Sequence, residues 1–320
     1  MQDKRVRLAL IGAGGMANSV HYPSLAEMDD VELVALCDLV EDKLHSTADK
    51  FGIEKRYTDY QKMLEESAPD GVYVLMPPHH LFDLVIHCLK QKLHVFIEKP
   101  PGITAEQTRQ MANLAEQQGC LTMTGFNRRF IPAMRMCREK VREVGLLNQC
   151  VATFYKYHTA GPYYDGAIDV LSCDAVHAVD ALRFMGGDVT KVASSISSVG
   201  QIFDTRFTAL VEFEGGAVGV LLANWQAGAR EHTFEMHAAG ISCFIDANDK
   251  VIINRDDKRK AEVLTPQEIA GSEENRVFYG FFHQSRHFVD CIKLNQEPET
   301  CFRDAVKTME LVDKIYHSRI

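Results

Sequence analysis

A short apolar run that ends in a glycine turn and opens straight into an amphipathic stretch constrains this chain more than any other feature. Val6–Ile11 is followed by Gly12-Ala13-Gly14-Gly15-Met16-Ala17, which fits the pattern G-x-G-x-x-G/A. Each small residue has a physical task there. Gly12 permits the tight turn, Gly14 lets the backbone come close to a pyrophosphate, and Ala17 lets the helix pack on the strand. The helix N-terminus, with Gly15 and Met16 in its first turn, offers amide hydrogens and a partial positive charge to phosphate. No Gly-Lys-Ser/Thr follows, so a mononucleotide P-loop is excluded.

The turn sits in an alternating pattern. Val6–Ile11, Glu32–Cys37, Gly71–Leu75, His94–Ile97 and Leu121–Thr124 read as strands, and Met16–Glu27, Glu41–Phe51, Tyr60–Glu66, Leu81–Lys90 and Ala105–Gln118 as helices. Strands alternating with helices of this length imply βαβ units and a parallel, doubly wound (Rossmann) sheet. Asp38 follows the second strand, twenty-one residues past Ala17. An acidic side chain at that place accepts hydrogen bonds from a ribose 2′-hydroxyl and repels a 2′-phosphate. Leu39 and Val40 come next, with no Arg or Ser, so NAD is favoured over NADP. An aspartate capping the following helix is the alternative reading.

The run His94-Val95-Phe96-Ile97-Glu98-Lys99-Pro100-Pro101 ends a buried strand in two charges and two prolines. Open α/β sheets bind ligands beyond the carboxyl ends of their strands. Lys99 is therefore aimed at the reactive end of a dinucleotide, and partial desolvation there would suit it to proton exchange. A solvated charge at a strand end is the competing reading.

The second half changes character. Gln149–His158 reads as a strand and Gly161–Gly166 as a loop. Val170–Met185 reads as a helix closed by Gly186-Gly187. Asp174, His177 and Asp180 recur at i, i+3 and i+6, which puts Asp174 and His177 on one face, where a carboxylate can orient an imidazole. Lys191–Ser197, Phe207–Phe213, Ala217–Trp225, Thr233–Ala238, Cys243–Ala247 and Lys250–Asn254 read as strands, and Asn275–Asn295 and Arg303–Ser318 as closing helices. The expected second domain is thus α+β, with a large, mostly antiparallel, open-faced sheet. Its uncovered face predicts a homodimer or homotetramer. The domains predicted are residues 1–125, binding NAD, and residues 126–320, binding substrate and pairing subunits, with the last helix able to pack back on the first domain.

Composition narrows the class of partner. The 320 residues carry a formal charge of −9, which argues against a nucleic-acid binder. No apolar run is long enough to span a membrane, and Val6–Ala13 is too short and too soon broken by glycine to be a signal peptide. Nine cysteines, with no Cys-x-x-Cys, fit reduced buried thiols in a cytoplasmic protein. His283 and His287 lie at i, i+4, but no glutamate or third ligand accompanies them, so no metal is expected. Asp256–Lys260 reads as a solvated hairpin tip.

Taken in order, the glycine turn, Asp38, Tyr57-x-Asp59, Pro69-Asp70, Pro77, Glu98-Lys99-Pro100, Gly125-Phe126-Asn127-Arg128-Arg129-Phe130 and Gly145 resemble the glucose–fructose oxidoreductase / inositol dehydrogenase / rhizopine catabolism (Gfo/Idh/MocA) family over nearly the whole chain. The resemblance implies an NAD-dependent oxidoreductase acting on a sugar, inositol or related polyol. It implies Lys99 as the group that donates or accepts the substrate proton, Glu98 lining the nicotinamide ribose, Pro77 beside the coenzyme, and Asn127 near the carboxamide and substrate. Arg129 is expected to be structural. His177 and Asp180 match a histidine that meets the catalytic lysine and the aspartate three residues on. Many members carry a further aspartate four residues before that histidine. Here Cys173 holds the position and Asp174 is displaced by one residue, a rotation of ~100° on a helix. Tyr157, Tyr163 and Tyr164, with Asn127, Asp174 and His177, are the expected substrate contacts. Two other activities fit the same residues: glycoside cleavage by transient oxidation with bound NAD, and an NAD-responsive regulator without catalysis.

Overall fold

The computed structural model describes residues 5–158, 160–198 and 200–320. The chain divides into two compact units, one of residues up to Gly125 together with Phe281–Val306, the other of Phe126–Gly280 and Lys307–Ile320. The sequence led us to expect one division, at 125/126. The chain also passes between units at 280/281 and 306/307.

In the first unit six strands form one sheet: β1 (Val6–Ile11), β2 (Val31–Cys37), β3 (Arg56–Tyr57), β4 (Gly71–Val74), β5 (His94–Ile97) and β6 (Thr122–Thr124). The order is β3-β2-β1-β4-β5-β6, and every pairing is parallel. This is the doubly wound arrangement, with its switch of direction between β1 and β4. Strands covered by helices on both faces read as unbroken apolar runs; β4 is buried at every residue and β5 at all but His94. Asp59 caps the Tyr60–Ser67 helix by accepting from the Gln61 amide at 2.8 Å, and Thr104 caps Ala105–Gln118 through the Gln107 amide at 3.1 Å. The returning segment is tied to the edge strand: the Thr124 amide donates to the Thr300 carbonyl at 2.8 Å, and the Thr300 hydroxyl donates to the Thr124 carbonyl at 2.8 Å.

The second unit is built on eight strands: β7 (Gln149–Tyr157), β8 (Val189–Ser197), β9 (Arg206–Phe213), β10 (Val218–Asn224), β11 (Gln226–Ala238), β12 (Ile241–Asp246), β13 (Val251–Arg255) and β14 (Glu262–Leu264). Their order is β14-β13-β12-β11-β7-β10-β9-β8. Only β7 and β10 pair in parallel. Strict alternation along β9 buries Phe207, Ala209, Val211 and Phe213 and exposes the residues between them, so one face is core and the other open, as the sequence pattern implies. Leu210, Phe244 and Val263 are among the large apolar side chains left exposed. A buried bidentate ion pair braces the covered face. Arg129 Nε and Nη2 donate to Asp180 at 2.7 and 2.5 Å, and the Thr308 hydroxyl donates to the same carboxylate at 2.9 Å.

Several elements differ from the sequence reading. β3 and β14 are too short to carry a period. The Pro132–Val144 helix went unread; Pro132 at its first turn is its start signal. The stretches read as helices over 16–27 and 170–185 each begin with a π-helical turn, Ala17–His21 and Leu171–Ala175. The helix expected over 275–295 is broken into Asn275–Phe278 and Phe281–Leu294. Gly280 is the cause. Its φ is +86°, and a Cβ there would lie 2.5 Å from the Asn127 carbonyl oxygen and 2.7 Å from the Ile131 nitrogen. Gly280→Ala is therefore expected to lower the unfolding free energy by about 2 kcal/mol or more, from left-handed strain and backbone overlap together. Urea denaturation of the variant checks this; an unchanged midpoint would show that the site tolerates a side chain.

Candidate active site

The carboxyl ends of β1, β2, β4 and β5 carry the residues expected to hold a dinucleotide. At the end of β1, Gly12 has φ +98°, and a Cβ there would sit 2.4 Å from the Leu75 carbonyl oxygen. Its amide donates to the Cys37 carbonyl at 2.9 Å, and the buried Tyr22 hydroxyl donates to its carbonyl. Gly14 and Gly15 are exposed, and a Cβ on either would meet nothing within 4 Å. The turn is therefore rigid below and open above, the shape that lets a pyrophosphate reach the backbone. Met16 stands exposed and Ala17 is buried against the sheet. The helical ladder opens with the Asn18 amide on the Gly14 carbonyl at 3.1 Å, so the amides before it lie at the positive end of the helix.

Asp38 is part of this turn. One carboxylate oxygen accepts from the Ala13 amide at 2.6 Å and the other from the Val40 amide at 2.8 Å. Its position at the end of β2 leaves further lone pairs for ribose hydroxyls. The residues present thus fit NAD: open glycines for the pyrophosphate and a fixed carboxylate for the ribose. Pro77 lies just past β4, leading into the short Pro78–His80 turn.

At the end of β5 the Glu98 carboxylate is fixed by a residue the sequence reading missed. His21, fully buried on the first π-helical turn, brings Nε2 to 2.7 Å from Glu98 Oε1. Its ring packs edge-on against Tyr73, Phe96 and Phe281 at 5.4–6.2 Å. The other Glu98 oxygen accepts from the Lys99 amide at 3.1 Å, and a Cβ on Gly125 would lie 3.0 Å from Oε1. The glutamate is thus clamped from three sides, and Lys99, half-buried, starts the loop beyond the strand. Nothing in the sequence period distinguishes His21 from an exposed helical histidine. The π-turn that aims it inward is the signal, and it is structural.

The second unit holds Asn127 and His177 in one buried polar cluster and Asp174 and Tyr163 in another, half-buried one. Asn127 is fully buried; its amide donates to the Tyr279 carbonyl at 2.8 Å, and its oxygen accepts from Arg128 Nη1 at 2.6 Å. The same Nη1 lies 3.3 Å from His177 Nε2. A guanidinium only donates, so this contact makes Nε2 the acceptor and puts the ring proton on Nδ1. Asp174 takes the Lys156 ammonium and, at 3.0 Å, the Tyr163 hydroxyl. The indole of Trp225 donates to the Tyr163 oxygen at 3.0 Å. Burial, with the Asp174 charge behind it, pushes the Tyr163 phenol up. Tyr157 is 72% exposed at the end of β7 and Tyr164 is 45% exposed. Arg128, Lys156 and His232 are members of these clusters that the sequence reading did not single out.

Residues 6–126 match the family described as "Oxidoreductase family, NAD-binding Rossmann fold", and residues 169–240 match the GFO/IDH/MocA C-terminal domain. The chain is 25% identical to a D-apiose dehydrogenase of Paraburkholderia graminis over 98% of its length and 88% of that protein. It is 29% identical to a myo-inositol 2-dehydrogenase of Thermotoga maritima, covering 68% of this chain and 67% of that one. An oxidoreductase from Agrobacterium radiobacter, solved in complex with NAD+, L-tartaric acid and magnesium, superposes with a TM-score of 0.86 at 18% identity, over 98% of this chain and 96% of that one. The chain belongs to the Gfo/Idh/MocA family of NAD-binding oxidoreductases. It is an enzyme of the dehydrogenase class, and NAD is its coenzyme.

Two measurements follow from this geometry. Asp38→Ala removes the tie on the Ala13 amide and the carboxylate expected to meet the ribose. NAD affinity is expected to fall about tenfold or more, the range for losing hydrogen bonds to a charged group, with discrimination against NADP falling too; titration with both coenzymes checks it, and an unchanged preference would remove Asp38 from the ribose site. The second concerns His232. Burial, and then the charges of Arg128, Arg230 and Lys156, hold its imidazole down to about 2. The unfolded chain takes up this proton below its ordinary pKa of 6.5 and the folded one does not, so stability is lost as pH falls from there. The slope approaches about 1.4 kcal/mol per pH unit. In His232→Asn the loss between pH 6.5 and 5 should shrink by about 1–2 kcal/mol, measured by denaturant unfolding at both pH values. An equal loss in both proteins would contradict a neutral buried ring.

Proposed function

We propose that this enzyme oxidises a secondary hydroxyl of a sugar, inositol or related polyol, and runs the reverse reduction, with Lys99 exchanging the hydroxyl proton and His177 assisting it. The observation that carries the reading is the clamp on Glu98. A carboxylate held between the His21 ring and the Lys99 amide fixes the backbone at the end of β5, in the same unit and on the same sheet edge as the glycine turn and Asp38. The names of the curated relatives, dehydrogenases of apiose and of myo-inositol, support the substrate class.

NAD, when bound, supplies the acceptor for the carbinol hydrogen and its two electrons. The protein has to take away the hydroxyl proton in the same event. Lys99 can do so only as the free amine, and it returns the proton as the ammonium when the carbonyl is reduced. Glu98 sits against the nicotinamide ribose in this reading. His177, as an acceptor at Nε2 and a donor at Nδ1, can relay the proton onward. Asn127 and Arg128 keep that tautomer in place, and Asp174 with Tyr163 offers acceptor and donor groups to substrate hydroxyls.

A panel of sugars, inositols and glycosides with NAD, followed at the reduced-nicotinamide absorbance band with product analysis, tests the reading. Lys99→Met is expected to lower kcat by about 10²–10⁴-fold, the usual share of general acid–base catalysis, while NAD affinity changes little. His177→Asn should lower it by less. Turnover near that of the parent in Lys99→Met would take Lys99 out of the chemistry.

A further inference from the structure

The two consecutive arginines of the second unit meet opposite fates. Arg129 has a buried carboxylate, Asp180, in bidentate contact. Arg128 is 5% exposed, and its partners among the described residues are all uncharged: the Asn127 oxygen, His177 Nε2, His232 Nδ1 at 3.5 Å, and the faces of Tyr279 and Phe154 at 4.8 and 5.7 Å. Its Nε is buried and makes no hydrogen bond. His232, stacked on Phe154 at 3.9 Å, leaves Nε2 buried and unbonded as well.

A buried cation is costly unless a charge of opposite sign compensates it. None of these partners of Arg128 supplies one. His232 pairs with Phe154 across β11 and β7, Lys156 follows Phe154 by two residues on β7, and Arg230 precedes His232 by two on β11. Arg128, Arg230 and Lys156 all act on His232 as cations, with Asp174 opposing them, and Asp174 is engaged by Lys156. Positive charge is thus gathered beside the histidine proposed to assist proton transfer, in a chain whose net charge is −9. Arg230 is exposed and the Lys156 side chain is 20% exposed, so these two cations reach solvent while Arg128 is buried.

We infer that the second unit recognises a carbohydrate that carries an anionic group, a carboxylate or a phosphate ester, with Lys156 and Arg230 meeting the anion first and Arg128 supplying the charge behind them. The inference rests on the dehydrogenase reading for its chemistry, but its binding step stands apart from turnover. A neutral polyol leaves this positive charge uncompensated. An anionic one relieves it on binding, so the pocket gains selectivity from a charge that would otherwise only destabilise the fold.

The test uses matched pairs: D-glucuronate against D-glucose, D-gluconate against D-glucitol, and glucose 6-phosphate to separate phosphate from carboxylate. In equilibrium dialysis with the NAD-loaded enzyme, the anionic member of a pair should bind at least about tenfold more tightly, as expected for a charge-assisted contact. The ratio should shrink as salt is raised. Arg230→Gln, an exposed site that can change without disturbing the core, and Lys156→Gln should each narrow the ratio severalfold, while melting temperature reports that the variants are folded. Equal binding of charged and neutral members, or a ratio that ignores both substitutions, overturns the inference. If the anions bind selectively but no member of the panel reduces NAD, the pocket stands and the dehydrogenase reading fails; if neutral polyols reduce NAD and the anions neither bind nor react, the dehydrogenase reading stands and the anion pocket fails.

Discussion

The coenzyme half of this molecule depends on one close approach, that of the Gly12 backbone to the carbonyl at the end of the neighbouring strand. A single methyl group at Gly12 would lie 2.4 Å from the Leu75 oxygen, well inside van der Waals contact. That approach lets β1 and β4 stay in register to their ends, with the Leu75 amide bonded to the Ile11 carbonyl at 2.9 Å. The turn is then closed from every other direction: Cys37 takes its amide, Tyr22 its carbonyl, and Asp38 the next amide. With its inner surface engaged, Gly14 and Gly15 are left facing open space. The opening above the turn thus follows from packing.

The segment that follows the glycine turn also reaches two strands away. His21 leaves the π-helical turn toward the interior and ends on Glu98 at 2.7 Å. One short segment, residues 12–21, therefore sets both the open glycine turn and the clamp beside Lys99. A π turn costs helical regularity, and such turns occur often at functional sites. Here the return for that irregularity is an imidazole aimed at a carboxylate.

Much of this was legible in the residues because the forces involved are local or periodic. Buried parallel strands read as apolar runs, and β1, β2, β4 and β5 fall within a residue of where those runs lie. The glycine turn lies at the end of β1 and Asp38 just past β2, where the apolar runs put them. The Gly186-Gly187 stop of the Val176–Gly186 helix was visible too. What escaped depends on partners distant in sequence. β3 exists only because two residues, Arg56 and Tyr57, can pair with the end of β2. The break at Gly280 is imposed by the backbone of Asn127 and Ile131, some 150 residues earlier. Helical spacing predicts Asp174 beside His177, but could not reveal that its carboxylate is taken by Lys156 from β7 and Tyr163 from the loop. His287, considered for a metal pair, uses Nε2 to accept from the Glu299 amide at 3.0 Å.

Arg128 and Arg129 show most directly why a motif read as letters underdetermines a site. They are adjacent, identical in chemistry and both buried, on a 3-10 turn spanning Asn127–Phe130. On that turn successive side chains point about 120° apart, so one meets the helix bearing Asp180 and the other the rings of Phe154 and Tyr279. The first becomes a neutralised brace, further held by Thr308. The second remains a concentrated positive charge cushioned by π faces and by a histidine kept neutral. A cation–π cushion recovers only part of what a guanidinium loses on leaving water. Retaining such a group in a fold that elsewhere pairs its buried charges is a stability cost, and it is offset when a ligand of opposite sign binds to the folded state alone.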